Sequence, residues 1–153
     1  PYNMVGYWQK PQETADTILD GGWLRTGDAG YLDDEGYLFL HDRIKDMVVS
    51  GGENIYPAEV ENVLLGVPGV ADAAVIGIPD DTWGETVKAV LVRVPGADVT
   101  ADTVIAFCRD RLAHYKCPTS VDFVEVLPRN PSGKILKREL REPYWAGRER
   151  RVH

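Results

Sequence analysis

Lys134 directly follows Gly133 and ends the segment Pro128-Arg129-Asn130-Pro131-Ser132-Gly133-Lys134, with Ile135 next. Two prolines and a glycine keep this stretch out of regular structure. A compact ammonium beside a helix start suits a phosphate or a carboxylate. A solvated lysine on a turn would use the same residues. The segment is not a P-loop: the first glycine of G-x-x-x-x-G-K-[ST] is absent, and Ile135 stands where Ser or Thr belongs. A second candidate is Gly27-Asp28, where a carboxylate at a strand end could accept two hydrogen bonds from a diol such as ribose. An ordinary turn aspartate fits there as well. The third candidate is the charged run Asp42-Arg43-Ile44-Lys45-Asp46, followed by Ser50-Gly51-Gly52-Glu53-Asn54. It reads either as a solvated hinge or as a place where backbone approaches a ligand closely.

These segments need elements to hold them. Residues 11–20 read as a short helix with acids in its first turn, stopped by Gly21-Gly22. Short strands are expected at 23–25, 29–32 and 37–41, the last two joined by the turn Asp33-Asp34-Glu35-Gly36. This small antiparallel sheet would be marginal alone. Another short strand covers 47–49, and 50–54 reads as a flexible loop. A helix opens at Tyr56-Pro57-Ala58-Glu59-Val60-Glu61, with proline at its first position, and ends at Gly66. Residues 70–78 and 86–94 read as strands, 100–112 as a helix, 121–126 as a strand, and 135–141 as a short basic helix. From Asp42 onward this is an α+β unit of ordinary single-domain size.

Composition narrows the classes. The chain has 153 residues, 44% apolar and 27% charged, as in ordinary globular proteins. A net charge of −7 argues against a general nucleic-acid binder. Cys108 and Cys117 make neither a disulfide framework nor a zinc spacing, so two reduced thiols and a cytoplasmic location are expected. No signal peptide is visible, and no apolar run reaches the length of a membrane span. The chain opens on Pro1 and not on Met, which points to residues upstream.

Four segments occur in one order: 23–28 (WLRTGD), 42–46 (DRIKD), 51–61 (GGENIYPAEVE) and 128–134 (PRNPSGK). Together they resemble the adenylate-forming superfamily of acyl-CoA synthetases, luciferases and peptide-synthetase adenylation domains, most of all its fatty-acid and medium-chain acyl-CoA ligases. The opening, Gly6-Tyr7-Trp8 with Pro11-Gln12-Glu13-Thr14-Ala15, is also similar, so the resemblance spans essentially the whole chain.

The resemblance implies a cap domain with a mixed or antiparallel sheet flanked by helices, preceded by a short β-rich remnant of a large N-terminal domain. It places the end of that large domain at 1–41, a hinge at 42–45 and the cap at 46–153. It makes Lys134 the catalytic lysine of adenylate formation, puts Asp28 and Arg43 on the ribose of the nucleotide, and makes Lys45 the hinge. Gly51 and Gly52 would lie along the pantetheine channel of CoA. The substrates it implies are a carboxylic acid (fatty acid foremost), ATP and CoA. Magnesium is expected on ligands outside this chain, and no metal ligand is assigned within it. Some relatives carry a lysine at the position of Val49 for their second step, and its absence here puts that luciferase-like role in doubt.

The family's phosphate loop T-S-G-T-T-G-x-P-K-G, its adenine-binding segment and its acyl pocket are absent from the 153 residues. The expectation is therefore a C-terminal piece that is inactive alone, with the missing N-terminal domain as its partner. Without that domain, Trp8 and Trp23 would be exposed, disordered or paired with another copy. A stand-alone cap or binding module acting in trans is the alternative from a different class. A peptide-synthetase adenylation fragment is another, disfavoured by the polar end at residues 148–153.

Overall fold

The computed structural model describes residues 3–148; the expected polar end falls almost wholly outside them. The chain divides into two compact units, Pro1–Arg43 and Ile44–His153.

The first unit holds helix α1 (Pro11–Thr17) and a two-stranded antiparallel sheet of β1 (Asp28–Leu32) and β2 (Leu38–Arg43). Pro11 opens α1, where its missing N–H costs nothing. The helix stops three residues before the predicted end, because Ile18 turns extended and bridges Leu24. That single bridge replaces the strand expected at 23–25. Between β1 and β2, Asp33 Oδ1 accepts the N–H groups of Glu35 and Tyr37, and Gly36 supplies a φ of 85°. Gly30 has a different reason to be glycine: a Cβ there would overlap the Phe39 carbonyl oxygen.

The second unit is the expected α+β domain. Its strands are β3 (Val48–Ser50), β4 (Glu53–Ile55), β5 (Val70–Asp80), β6 (Gly84–Arg93) and β7 (Ser120–Val124). They run in the order β4-β3-β6-β5, with β7 also paired to β6. Only β7 is parallel to its neighbour, so the sheet is mixed. The long β5–β6 hairpin is its spine; β5 runs two residues past its predicted end, and β6 starts two residues early and stops one short. The flexible loop expected at 50–54 is instead a tight hairpin turn between β3 and β4. Gly51 and Gly52 both have positive φ, 59° and 89°, as such a two-residue turn demands.

Strand alternation sends side chains to two faces. Ala73 and Val75 of β5, with Val87, Ala89 and Leu91 of β6, join Val60 and Leu64 of α2 (Pro57–Leu64) and Val104 and Cys108 of α3 (Ala101–Arg109). Ala74, Ile76 and Val90 point the other way, against Leu127, Ile135 and Leu140. With helices on both faces, 73–76 and 89–92 can be nearly continuous apolar runs. Thr100 caps α3 by accepting the Thr103 N–H at 3.3 Å, and α3 ends at Arg109, short of the predicted 112. The last helix, α4 (Lys137–Trp145), starts two residues later than predicted and runs on through Pro143. Both cysteines are free and buried, and burial, reinforced by Cys117, pushes the Cys108 thiol up to about 11.

Candidate functional site

The lysine loop is built outward from the core. Leu127 is buried, and Ile135 packs on the same apolar cluster, so both ends of the loop are anchored. Between them the chain closes on itself. The Asn130 N–H donates to the Lys134 carbonyl at 2.9 Å, and the Leu136 N–H to the Pro128 carbonyl at 2.8 Å. Asn130 Oδ1 is the hub, accepting from the Ser132 N–H, the Ser132 hydroxyl and the Lys134 N–H at 3.1, 2.8 and 2.8 Å. Arg129 ties this turn to the sheet: Nη1 donates to the Gly133 carbonyl at 2.6 Å and Nη2 to Asp72 of β5 at 2.5 Å. Lys134 itself is exposed, and among the described residues no hydrogen bond or ion pair holds its ammonium. The arrangement is a braced turn that presents one unengaged cation. The sequence alone assigns no role to Arg129 or Asn130. Asn before Pro is an Asx-turn signal, but the Asp72 partner lies 57 positions away.

Gly51 and Gly52 form the β3–β4 turn. Gly51 N–H donates to the Trp83 carbonyl at 2.9 Å, and a Cβ on Gly51 would come within 2.8 Å of the Trp83 ring. Trp83, Val49, Glu85 and Trp145 help line a groove of about 560 Å³ beside this turn. Asp72 and Trp83 stand at opposite ends of the β5–β6 hairpin. Asp72 pairs with Val92, whereas Trp83 lies in the connection just past the Asp80–Gly84 pair. The strand from Asp72 to Asp80 spans about 26 Å. The structure therefore does not bring Lys134's loop and the Gly51-Gly52 turn together; they sit at the two ends of the β5–β6 hairpin.

Within the first unit, Asp28 and Arg43 do come together. They are register partners across β1 and β2, and Arg43 Nη1 lies 3.2 Å from Asp28 Oδ1. A shallow pocket of about 240 Å³ opens beside them, lined also by Leu40, His41 and Asp42.

Lys45 is the middle residue of a 3₁₀ turn, Ile44–Asp46. Its carbonyl and the Asp46 carboxylate are both reached by Arg141 of α4. Three further polar contacts fix α4. Lys137 pairs with Glu61 at 2.8 Å, while Glu61 also accepts the Val75 N–H at 2.7 Å. Trp145 Nε1 donates to the Gly77 carbonyl at 2.9 Å. Tyr144 donates to Asp122, whose carboxylate is also 2.8 Å from the buried Lys88 ammonium. Burial pushes Asp122 up, but the hydrogen bonds from Lys88 and Tyr144, with the Lys88 charge, outweigh it and hold Asp122 below the usual carboxylate range. Burial and the same Asp122 bond push Tyr144 up to about 12.

Among the described residues, no group of three His, Cys, Asp or Glu side chains is placed to hold a metal ion, and no helix is long and apolar enough to cross a membrane.

Known proteins match the chain over nearly all of its length. It is 51% identical over 153 residues to the fatty acid–[acyl-carrier-protein] ligase ScoC of Streptomyces coeruleorubidus, covering 100% of this chain and 29% of that protein. It is 54% identical over 140 residues to the long-chain-fatty-acid–CoA ligase FadD13 of Mycobacterium tuberculosis, covering 92% of this chain and 27% of that one. Among solved structures, ATP-bound MatB from Rhodopseudomonas palustris superposes with a TM-score of 0.84 at 43% identity, covering 92% of this chain and 28% of that one. The chain thus spans under a third of the length of these relatives. Residues 59–134, from α2 through the lysine loop, match the AMP-binding enzyme C-terminal domain. The chain belongs to that family, the C-terminal part of the adenylate-forming superfamily.

Proposed function

We propose that this chain is the cap and adjoining strip of an ATP-dependent acid–thiol ligase working through an acyl-adenylate. In the first half-reaction a carboxylate oxygen attacks the α-phosphorus of ATP, and the bond to pyrophosphate breaks. In the second, the CoA thiol attacks the acyl carbon, AMP leaves, and the thiol proton passes to solvent or a base. Fatty acid is the proposed acid, since both curated relatives above are named for it. CoA is the proposed thiol, although one of them is named for an acyl-carrier protein.

The roles follow from the chemistry of each group. Joining two anions needs a cation between them, and Lys134, unengaged on a braced turn, would bridge the carboxylate and the phosphate oxygens. A preorganised donor of this kind is typically worth about 3–4 kcal/mol. Asp28, oriented by Arg43, would accept the ribose hydroxyls. Gly51 and Gly52 would let pantetheine lie close to backbone. Magnesium on the phosphates would be held by groups outside this chain.

The observation that carries this reading is the separation of Lys134's loop from the Gly51-Gly52 turn along β5–β6. One rigid body with two such ends can serve two half-reactions in turn if it swings about Lys45. The test is ATP–pyrophosphate exchange. The 153-residue chain alone should give none, because proximity of ATP and acid is a large part of the rate. A chimera in which it replaces the matching segment of the Mycobacterium tuberculosis ligase should exchange with fatty acid. Exchange by the chain alone, or a folded chimera without it, contradicts the proposal.

A further inference from the structure

Most of α4's polar contacts end on the body of the second unit: Glu61 on α2, Gly77 on β5, Asp122 on β7. Arg141 differs. Its Nη1 donates to Asp46 Oδ1 at 3.0 Å and, at a longer 3.4 Å, to the Lys45 carbonyl. The side chains of Arg141 and Asp46 are only 13% and 14% exposed. Little solvent screens this pair, so it holds its geometry better than a surface bridge.

The two acceptors flank one peptide plane. The Lys45 carbonyl and the Asp46 N–H belong to the same rigid amide, and the Asp46 carboxylate is attached to the next Cα. An arginine holding both makes that amide part of the second unit. The nearest backbone torsions upstream of it are ψ and φ of Lys45. We infer that Arg141 is a positioning residue that pins the Lys45–Asp46 amide to the second unit and so confines the swivel to Lys45. The inference rests on Lys45 being the hinge. It adds that the pivot is set from 96 positions away, by the helix that begins three residues after Lys134. Lys137–Glu61 braces the start of α4. A turn at Lys45 therefore reaches the lysine loop without being absorbed at residues 46–47.

Amide ¹⁵N relaxation on the 153-residue chain tests this. In the unaltered chain the Asp46 N–H should be as ordered as the β5 and β6 amides, with an order parameter of about 0.85. In Arg141→Gln it should fall below about 0.6, while the β5 and β6 amides stay unchanged. Arg141→Lys, which keeps the charge without the planar fork, should recover part of the order. Asp46→Asn should repeat the local loss from the other side. An Asp46 amide that is mobile in the unaltered chain, or equally rigid in Arg141→Gln, overturns the proposal. So does unfolding of both Arg141→Gln and Asp46→Asn, which would make the pair a plain stability element. Failure of the hinge reading looks different: no step in order between Arg43 and Asp46, with Asp46 still loosened by Arg141→Gln.

Discussion

From Ile44 onward, the chain buries Val48, Ile55, Val60, Leu64, Val75, Ile76 and Leu91 almost completely. Among the described residues up to Arg43, not one side chain is buried. The first unit is not short of apolar groups: Trp8 is 87% exposed, Trp23 75%, and Leu32, Tyr37, Leu38 and Leu40 all lie open. The difference is in layers. In the second unit a mixed sheet has α2 and α3 on one face and α4 on the other, so alternate side chains of β5 and β6 all find a partner. In the first, β1 and β2 make a two-stranded ribbon, and none of the unit's own described residues forms a second layer that buries it. A strand pattern states which residues want burial, and only a second layer supplies it.

Core substitutions should separate the units most sharply. Leu91→Ala should destabilise the second unit by about 2–5 kcal/mol, through lost transfer energy and a cavity. Leu38→Ala in β2 should change stability by no more than about 0.5 kcal/mol. Urea denaturation followed by far-UV circular dichroism checks both, and comparable losses would break the comparison.

A smaller effect comes from pH, through the Lys88–Asp122–Tyr144 cluster. Tyr144's folded value, about 12, lies above its ordinary 10. A raised value stabilises while the unfolded tyrosine is still protonated, so its contribution is full below about pH 10. It should fade as pH rises towards 12, because the unfolded chain ionises first. Asp122 is depressed, so its contribution is present above about pH 4 and lost as pH falls below that. Urea midpoints across pH 8–11.5 should fall, and Tyr144→Phe should flatten the fall. An unchanged slope in that variant would show that the cluster does not set the fall.

Much of the second unit was legible in the sequence because its signals are local. Pro57 opening α2 and the strand patterns of β5 and β6 each act within a few residues. The Asp33–Gly36 turn was legible for the same reason. What could not be read depends on distant partners. Ile18 leaves α1 because Leu24 is there to bridge it. Gly51-Gly52 looks like a flexible loop until β3 and β4 pair around it and Trp83 packs against it. At the candidate site the motif residues Lys134, Asp28, Arg43, Lys45, Gly51 and Gly52 were readable by type. Their supports were not, since Arg129–Asp72, Lys137–Glu61 and Arg141–Asp46 join residues far apart in the chain.

In the proposed reaction Lys134, on its braced turn, would serve adenylate formation, while the opposite end of the same unit would serve thioester formation. The most direct measurement assays the two half-reactions separately in the chimera carrying Lys134→Ala. Acid-dependent ATP–pyrophosphate exchange should fall by about 10²–10³ or more, while thioester formation from supplied acyl-AMP and CoA should stay near the level of the unaltered chimera. Equal loss of both half-reactions, or exchange that survives the substitution, would contradict the proposal.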